Sequence, residues 1–442
     1  MMMWRRHDSS WRAVAALRRT FSSDATEAIS EKSKKKREVK IHPLTPPPPP
    51  SDFPAWEPRD FFRYEVLHQS KRSAARVGRI HTPHGIVDTP NFVAVGTNGT
   101  LKAVDHRQAD DAGLQLMFCN TYHLLLQPGP DTIAAAGGLH KYVNRTKPII
   151  TDSGGFQVFS LSHGSVHDEL NMKARKSKTG SGTGEWQGTL IKVNEEGATF
   201  RSYIDGARIL LTPESSVDAQ KAYKSDIIIP LDELPPYHIT PELLEKSVYL
   251  SHRWMARSLK RHLANINEQA MYAVVHGGID RPMRQLSIDY LTQLPFDGYC
   301  IGGSLGKDRQ ELVELLKFVM PQLPANKPNH LLGIADVPSI EECVPLGVDT
   351  FDSCFPTRLG RHNTLLTRNG RVNIKKRIYA RDFRPVDEEC ECHVCKNHTL
   401  AYLHHLCRAN EPMGAQLNTL HNLHYMCDFM ADQRQKILND EI

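Results

Sequence analysis

The sequence predicts an α/β fold built around a parallel sheet, on three observations. Short, continuously apolar, β-rich runs recur along the chain, amphipathic stretches of helical period lie between many of them, and a polar residue or glycine stands just past each of the later runs. Runs that are apolar throughout describe strands buried on both faces, as in a parallel sheet covered by helices. Periodicity does not separate a closed barrel from an open doubly wound sheet. The residues that follow the runs favour the barrel, because there they would share one rim, the C-terminal face, where active sites of that architecture sit.

From the N-terminus, the first 23 residues carry Arg5, Arg6, Arg12, Arg18 and Arg19 with a single acid, Asp8, and apolar Trp11, Val14, Ala15 and Leu17 at roughly helical spacing. An Arg-rich, Ser-bearing, acid-poor amphipathic leader resembles a mitochondrial transit peptide, so a mitochondrial location is expected. The run Lys34 to Arg37 and the proline tract Pro46 to Pro50 follow, the latter suited to solvated polyproline II. Residues 1–60 read as leader, folded structure is expected to begin near Phe61, and 61–442 suits one barrel with insertions.

The eight strand candidates are Asn91 to Val95, Gln115 to Cys119, Pro148 to Thr151, Asp226 to Leu231, Met271 to Val275, Gly298 to Ile301, His330 to Ile334 and Val348 to Phe351. Leu243 to His262 and Asp308 to Val319 are expected as crossover helices. Past the later strands stand Asp152, Asp232, His276, Gly302, Gly303, Asp336 and Asp352. Any one could merely end a strand or cap a helix. Together they describe a polar rim.

Composition narrows the class. With 442 residues, 40% of them hydrophobic, and 28 Gly and 28 Pro, the chain is neither collagenous nor wholly disordered. No run of about 18 apolar residues occurs, so no bilayer-spanning helix and no membrane partner are expected. The formal charge of +5 belongs to the leader: residues 1–40 hold 11 Lys/Arg against 5 Asp/Glu, leaving 44 against 45 for the remainder. Basic surface on the body must therefore be local. Such a stripe lies between Arg358 and Arg384, where nine Lys/Arg accompany one acid, Asp382. It could be a solvated face or could grip phosphates with little sequence information.

Three motifs carry chemistry. Asp152 in TDSGGFQ and Asp352 in FDSCFPTR are two carboxylates, the usual apparatus for breaking a glycosidic bond. Gly154, Gly155, Gly302 and Gly303 would leave backbone amides open to a flat ligand such as a purine. Cys390, Cys392 and Cys395 lie within six residues, which is metal-ligand spacing, with a redox pair as the alternative. Zinc needs a fourth ligand, and spacing does not choose among His398, His404, His405, His421 and His424. Cys119, Cys300, Cys343 and Cys354 read as small buried hydrophobes.

These residues resemble one family, the queuine tRNA-ribosyltransferases or tRNA-guanine transglycosylases. The resemblance runs from about Tyr64 to about Met430 through FCNTYHLLLQPG, TDSGGFQVFSL, FRSYIDG, DGYCIGG, GVDTFDSCFPTR, the CECHVC cluster and His421 in LHNLHY. It implies a β/α (TIM-type) barrel with an inserted C-terminal zinc-binding subdomain, here about 385–430. The implied activity exchanges guanine at the wobble position of GUN-anticodon tRNAs for queuine or a 7-deazaguanine precursor.

Carried over motif by motif, the resemblance implies that Asp352 is the nucleophile forming a covalent ribosyl intermediate and Asp152 the proton acceptor. Ser153, Gly154, Gly155, Phe156, Asp232, His276, Gly302 and Gly303 would form the base pocket. Gly333, Ile334, Ala335, Asp336, Val337, Pro338 and Ser339, with Thr357, Arg358, Leu359, Gly360 and Arg361, would hold the anticodon loop. Cys390, Cys392, Cys395 and His421 would bind structural zinc. A homodimer, or a heterodimer with a non-catalytic paralogue, is also implied. The physical logic agrees, since a stacked base must be flipped out before it can be replaced.

The chain departs from the family at four places. His276 replaces the usual Gln and cannot reproduce a carboxamide's pair of hydrogen-bonding groups. Ser304-Leu305-Gly306 replaces Leu-Ala-Val, where a glycine would leave room for the cyclopentenediol of queuine. Asp336 stands where many relatives place an RNA-holding lysine, and Ser162 to Glu195 is expected as a surface-loop insertion. A non-catalytic tRNA-binding subunit on the same fold is the alternative, and retention of Asp152 and Asp352 argues against it.

Overall fold

The computed structural model describes residues 41–163 and 189–442, so the Arg-rich leader and the interior of the insertion lie outside the described residues. Within the unit Pro43–Ile442, all eight expected runs contribute to one closed parallel barrel. Its strands are β1 (Asn91–Val95), β2 (Leu116–Cys119), β3 (Ile149–Thr151), β4 (Ile227–Ile228), β5 (Ala270–Val275), β6 (Gly298–Ile301), β7 (Asn329–Leu331) and β8 (Thr350–Ser353). Each pairs with its neighbours in sequence, and β8 closes on β1 with Phe351 opposite Phe92. Closure settles what periodicity left open. The strand side chains are almost wholly buried, since the barrel interior is a packed core and helices cover its outside.

Two strands, β4 and β7, stop short of the C-terminal ends of their runs. After Ile228 the carboxamide of Gln220 accepts from the Ile229 N–H (3.0 Å) and donates to the Ile229 carbonyl (2.8 Å). A side chain thus substitutes for a ladder partner, and the run stays buried without remaining strand. β7 stops because Gly333 adopts a φ of +76° and turns the chain over the barrel mouth.

The expected crossovers are helices Pro241–Leu263 and Arg309–Val319. The second begins where the Asp308 carboxylate accepts from the Glu311 N–H, and it buries Leu312, Leu315, Leu316 and Val319, one helical stripe. At the opposite end from the mouth, a three-stranded antiparallel sheet (Arg63–Gln69, Arg76–Thr82, Gly85–Thr89) covers the barrel. Arg76 clamps Asp349 there through contacts of 2.9 and 2.6 Å, and the Tyr64 hydroxyl donates to the same carboxylate. Asp349 in turn accepts from the Asn329 N–H, tying this sheet to the entry of β7 and β8.

Contacts with the body begin well before Phe61. Arg253 donates to the carbonyls of Pro43 and Thr45, Tyr290 to that of Pro48, and Trp56 and Arg59 to the Asp297 carboxylate. The prolines build no core of their own; Pro49 and Pro50 accept from the Asp52 and Phe53 N–H groups, while the Pro43, Thr45 and Pro48 carbonyls accept from the body. In the insertion, Leu190–Val193 is a strand rather than loop, pairing with Ala198–Arg201 in a second antiparallel sheet.

After β8 come helix Phe355–Arg361, the hairpin Thr364–Thr367 and Gly370–Asn373, and the long helix Pro412–Leu438. The two helices cross so closely that a Cβ on Gly360 would sit 2.7 Å from the Thr419 backbone. Structure C-terminal to the barrel is thereby packed directly against the segment that leaves the mouth.

Candidate active site and metal centre

Because all eight strands run parallel, their C-terminal ends share one rim. β3 delivers Asp152 to it, β4 Asp232, β5 His276, β6 Gly302 and Gly303, and β7 Gly333, while Asp352 lies in β8 itself. The seventh expected rim residue, Asp336, sits further out: its carboxylate accepts from the Ser339 N–H, capping helix Val337–Cys343, and lies 3.7 Å from Arg309.

Asp152 is buried and held at both oxygens. Oδ2 accepts from the Asn120 side chain (2.7 Å), and Oδ1 from the N–H groups of Thr121 (2.7 Å) and Gly154 (3.1 Å). Burial pushes its carboxyl up to about 6, against the downward pull of these donors. Asp232 is pushed up to about 7, chiefly by burial and further by the neighbouring Asp152 and Glu233 charges. Two carboxylates near neutrality in one mouth can exchange protons with a bound ligand.

Both groups bind protons more tightly folded than the roughly 3.9 of an unfolded aspartate. The folded state therefore holds extra protons between about pH 4 and pH 7, and stability falls as pH rises through that window. Asp232→Asn is expected to raise the thermal midpoint by an amount that grows from pH 4 to pH 7 and then levels off at a few degrees. Melting curves across that range check it, and a pH-independent gain would remove the buried-carboxylate account.

His276 is buried, with Nε2 3.6 Å from Asp232 Oδ2. Burial, then the Arg284 cation, holds its imidazole well below the ordinary range, so it is neutral. Arg284, fully buried, donates to the carbonyls of Gly278, Val275 and Ser304 and so pins together the loops after β5 and β6. Beside it Gly303, at φ +75°, has open space: a Cβ there would find nothing nearer than 3.9 Å. Gly306 does not provide the room expected of it, because a Cβ would meet Cβ of Glu311 at 2.7 Å. Its hydrogen is required by the close approach of helix Arg309–Val319. Ser153, Gly154 and Gly155 are buried, whereas the Phe156 ring is 50% exposed and offers a free aromatic face.

Asp352 is likewise buried, and its Oδ1 accepts from the Gly333 N–H at 2.8 Å and faces His330 Nε2 at 3.0 Å. The sequence marks His330 only as a strand residue and assigns no role to Asn120 or Thr121. FCNTYH contained the signal for the last two, immediately past β2. Among the segments expected to hold RNA, Gly333, Pro338 and Arg358 are exposed, and Ile334, Asp336, Val337, Leu359 and Arg361 are half-buried. Ala335, Ser339, Thr357 and Gly360 face inward and shape those segments. The basic stripe is partly spent within the fold: Arg368 lies 3.0 Å from Asp428 and 3.6 Å from Asp387, and Arg384 pairs with Asp382. Lys376, Arg377 and Arg381 are exposed.

Cys390, Cys392, Cys395 and His421 converge, their ligand atoms all within 4.8 Å of one another. His421 Nδ1 lies 3.9, 3.4 and 3.4 Å from the three sulfurs. Tetrahedral zinc with ordinary bond lengths requires sulfur–nitrogen edges of about 3.6 Å. Nε2 of His421, 2.7 Å from the Leu366 carbonyl, is its proton-bearing nitrogen, which leaves Nδ1 for a metal. Of the five histidines that spacing allowed, His421 alone joins the three sulfurs, and His404 instead turns its Nδ1 to the Ile374 carbonyl at 2.7 Å. The cluster can therefore hold a metal.

His84, His140 and Asp226 form a second close group. Their imidazoles are stacked, centroids 3.5 Å apart and planes 9° from parallel, so the in-plane lone pairs run side by side and do not converge on one ion. Asp226 instead accepts from His84 Nδ1 (2.8 Å) and from the Ile149 N–H (2.8 Å). Despite burial, both imidazoles hold its carboxyl below the ordinary range. The group locks the entry of β3 and β4.

The sequence model of the family described as queuine tRNA-ribosyltransferase matches residues 70–442. The queuine tRNA-ribosyltransferase of Protochlamydia amoebophila is 56% identical over 382 residues, 86% of this chain and 97% of the relative. Those of Chlamydia caviae and Chlamydia muridarum are 49% and 47% identical over 381 residues, 86% of this chain and 99% of each relative. These similarities correct the expectation of a mitochondrial location and transit peptide, because the relatives come from bacteria, which have no mitochondria. The leader that suggested it lies outside the described residues, and an Arg-rich, acid-poor composition is a cue without an organelle address of its own. No helix among the described residues is long and apolar enough to cross a membrane. With the family model spanning the whole barrel and relatives matched almost end to end, the chain belongs to the queuine tRNA-ribosyltransferase family, the tRNA-guanine transglycosylases, which are pentosyltransferases acting on tRNA.

Proposed function

We propose that the chain exchanges guanine at the wobble position of GUN-anticodon tRNAs for queuine, or a 7-deazaguanine precursor, by double displacement through Asp352. The observation that carries this reading is the pair of buried carboxylates on one barrel mouth, one proton-exchanging at about 6 and the other held through a single oxygen. The wobble nucleotide swings out of its stack into the mouth. An Asp352 oxygen bonds to the ribose C1′ as the C1′–N9 bond breaks, its electron pair leaving with the purine, which takes a proton from Asp152. The incoming base then returns a proton to Asp152 and attacks C1′ through N9, and the Asp352 ester bond breaks. Two inversions at one carbon retain configuration.

The other rim groups fit the same chemistry. An ionised Asp232 accepts from N–H groups on the purine edge, the Gly303 backbone approaches the base closely, and Phe156 gives it a stacking face. Arg358, Arg361 and the exposed cations at 376, 377 and 381 grip the anticodon backbone. Cys390, Cys392, Cys395 and His421 would hold zinc, which would clamp the 385–430 segment and leave the exchange to the barrel mouth, because four protein ligands leave no open position for substrate.

The purified chain, incubated with radiolabelled guanine and a GUN-anticodon tRNA, is expected to incorporate label. Replacing the wobble guanosine by adenosine should abolish incorporation, and unlabelled queuine and its precursor, tested side by side, should chase it. Equal incorporation into both tRNAs would exclude the wobble assignment.

A further inference from the structure

Asp352 is oriented by an unusual partner. His330 lies on β7, the strand next to β8, fully buried and with its ring near that of Phe118 (centroids 5.9 Å apart, planes at 20°). Nε2 faces Asp352 Oδ1 at 3.0 Å, and Nδ1 lies 2.8 Å from the Thr350 hydroxyl, itself 3.1 Å from the Asn329 carbonyl. Proton positions follow from what each atom can offer. An ionised carboxylate has only lone pairs, so Nε2 carries a hydrogen. Thr350 then either donates to Nδ1 of a neutral ring, or donates to Asn329 and accepts from Nδ1 of a charged one. Both arrangements put a donor on the carboxylate.

Resting on the reading of Asp352 as nucleophile, we propose that His330 is a positioning residue that fixes which oxygen of Asp352 reacts. The His330 Nε2–H and the Gly333 N–H both hold Oδ1, so Oδ2 is the atom turned to C1′. Oδ2 forms the bond to C1′ as the C1′–N9 pair departs with the purine. In the resulting ester Oδ1 is the carbonyl oxygen, still held by the same two donors. When N9 of the incoming base attacks C1′, the C1′–Oδ2 pair returns to Asp352, and the donors stabilise the carboxylate as it is expelled. A ring packed this tightly also keeps the carboxylate from rotating away between the two steps.

The test compares His330→Leu with His330→Gln in guanine exchange, with Asp352→Asn as reference. Losing a hydrogen bond to a charged group, His330→Leu is expected to lower kcat about 10- to 100-fold with KM for tRNA changed less than about twofold. His330→Gln, whose carboxamide N–H can donate to Oδ1, should recover most of that loss. Equal kcat in the two variants, whether both active or both impaired, would overturn the inference. If His330→Leu does not fold, His330→Phe keeps a flat ring beside Phe118 but offers no donor to Oδ1, and a wild-type kcat in that variant would overturn it equally. Asp352→Asn separates the two readings: exchange by that protein sinks the nucleophile assignment, whereas an inactive Asp352→Asn beside a fully active His330→Leu sinks only the role of His330.

Discussion

Asp352→Asn will fold as the wild type does and lose guanine exchange by about 10⁴-fold or more, the scale on which removal of a covalent nucleophile acts. Asparagine is the informative substitution. Its Oδ1 still accepts from His330 Nε2 and the Gly333 N–H, so the β7 and β8 junction keeps its hydrogen bonds. Alanine would leave the buried His330 donor unpaired, destabilising by about 1–3 kcal/mol and mixing a folding defect with a chemical one. Denaturing gels of enzyme with tRNA should show a covalent band for the wild type and none for the variant. A normal exchange rate in the variant would dismiss double displacement, and a covalent band would move the ester to another residue.

Cys392→Ala will lose the bound metal and much of the stability of the C-terminal part. Metal analysis is expected to fall from about one zinc per chain to near zero, with a drop in the melting midpoint on the order of 10 °C or more. The long reach of the substitution comes from connectivity. The three thiols lie in 390–395, while His421 lies in helix Pro412–Leu438, which also packs on helix Phe355–Arg361 directly after β8. Releasing the clamp therefore loosens the support of the strand that carries Asp352. Activity should fall in parallel with structure and return on refolding with zinc. A metal-free Cys392→Ala protein that melts like the wild type would show that the four residues are not a structural site.

Much of the fold was legible because its signals are local. Strands β2, β4, β5 and β6 are unbroken apolar runs, since burial on both faces leaves little place for a polar group, whereas β7 and β8 bury Asn329, His330, Thr350 and Asp352 in hydrogen bonds to one another and to their neighbours. Each later run ends on a polar residue or glycine because parallel strands deliver their ends to one rim. The three clustered cysteines stood out because spacing within a few residues already implies a metal site, whereas the roles of Asp152 and Asp352 were implied by the motifs around them and the family those motifs resemble.

Local pattern could not show contacts made across the sequence. Spacing left five histidines open as fourth ligand, the family resemblance implied His421, and only packing brings its Nδ1 within 3.9 Å of all three sulfurs. Nothing in the run Asp226 to Leu231 tells that Gln220 would end β4 early. Gly306 promised space until helix Arg309–Val319 was seen to fill it. His330 looked like one more strand residue until barrel closure set it against Asp352. The sequence by itself determined the strands, the rim and the chemistry of its motifs, because periodicity and residue type act over a few positions. Tertiary structure decided which donor meets which acceptor, because those distances are fixed only when distant segments are buried together.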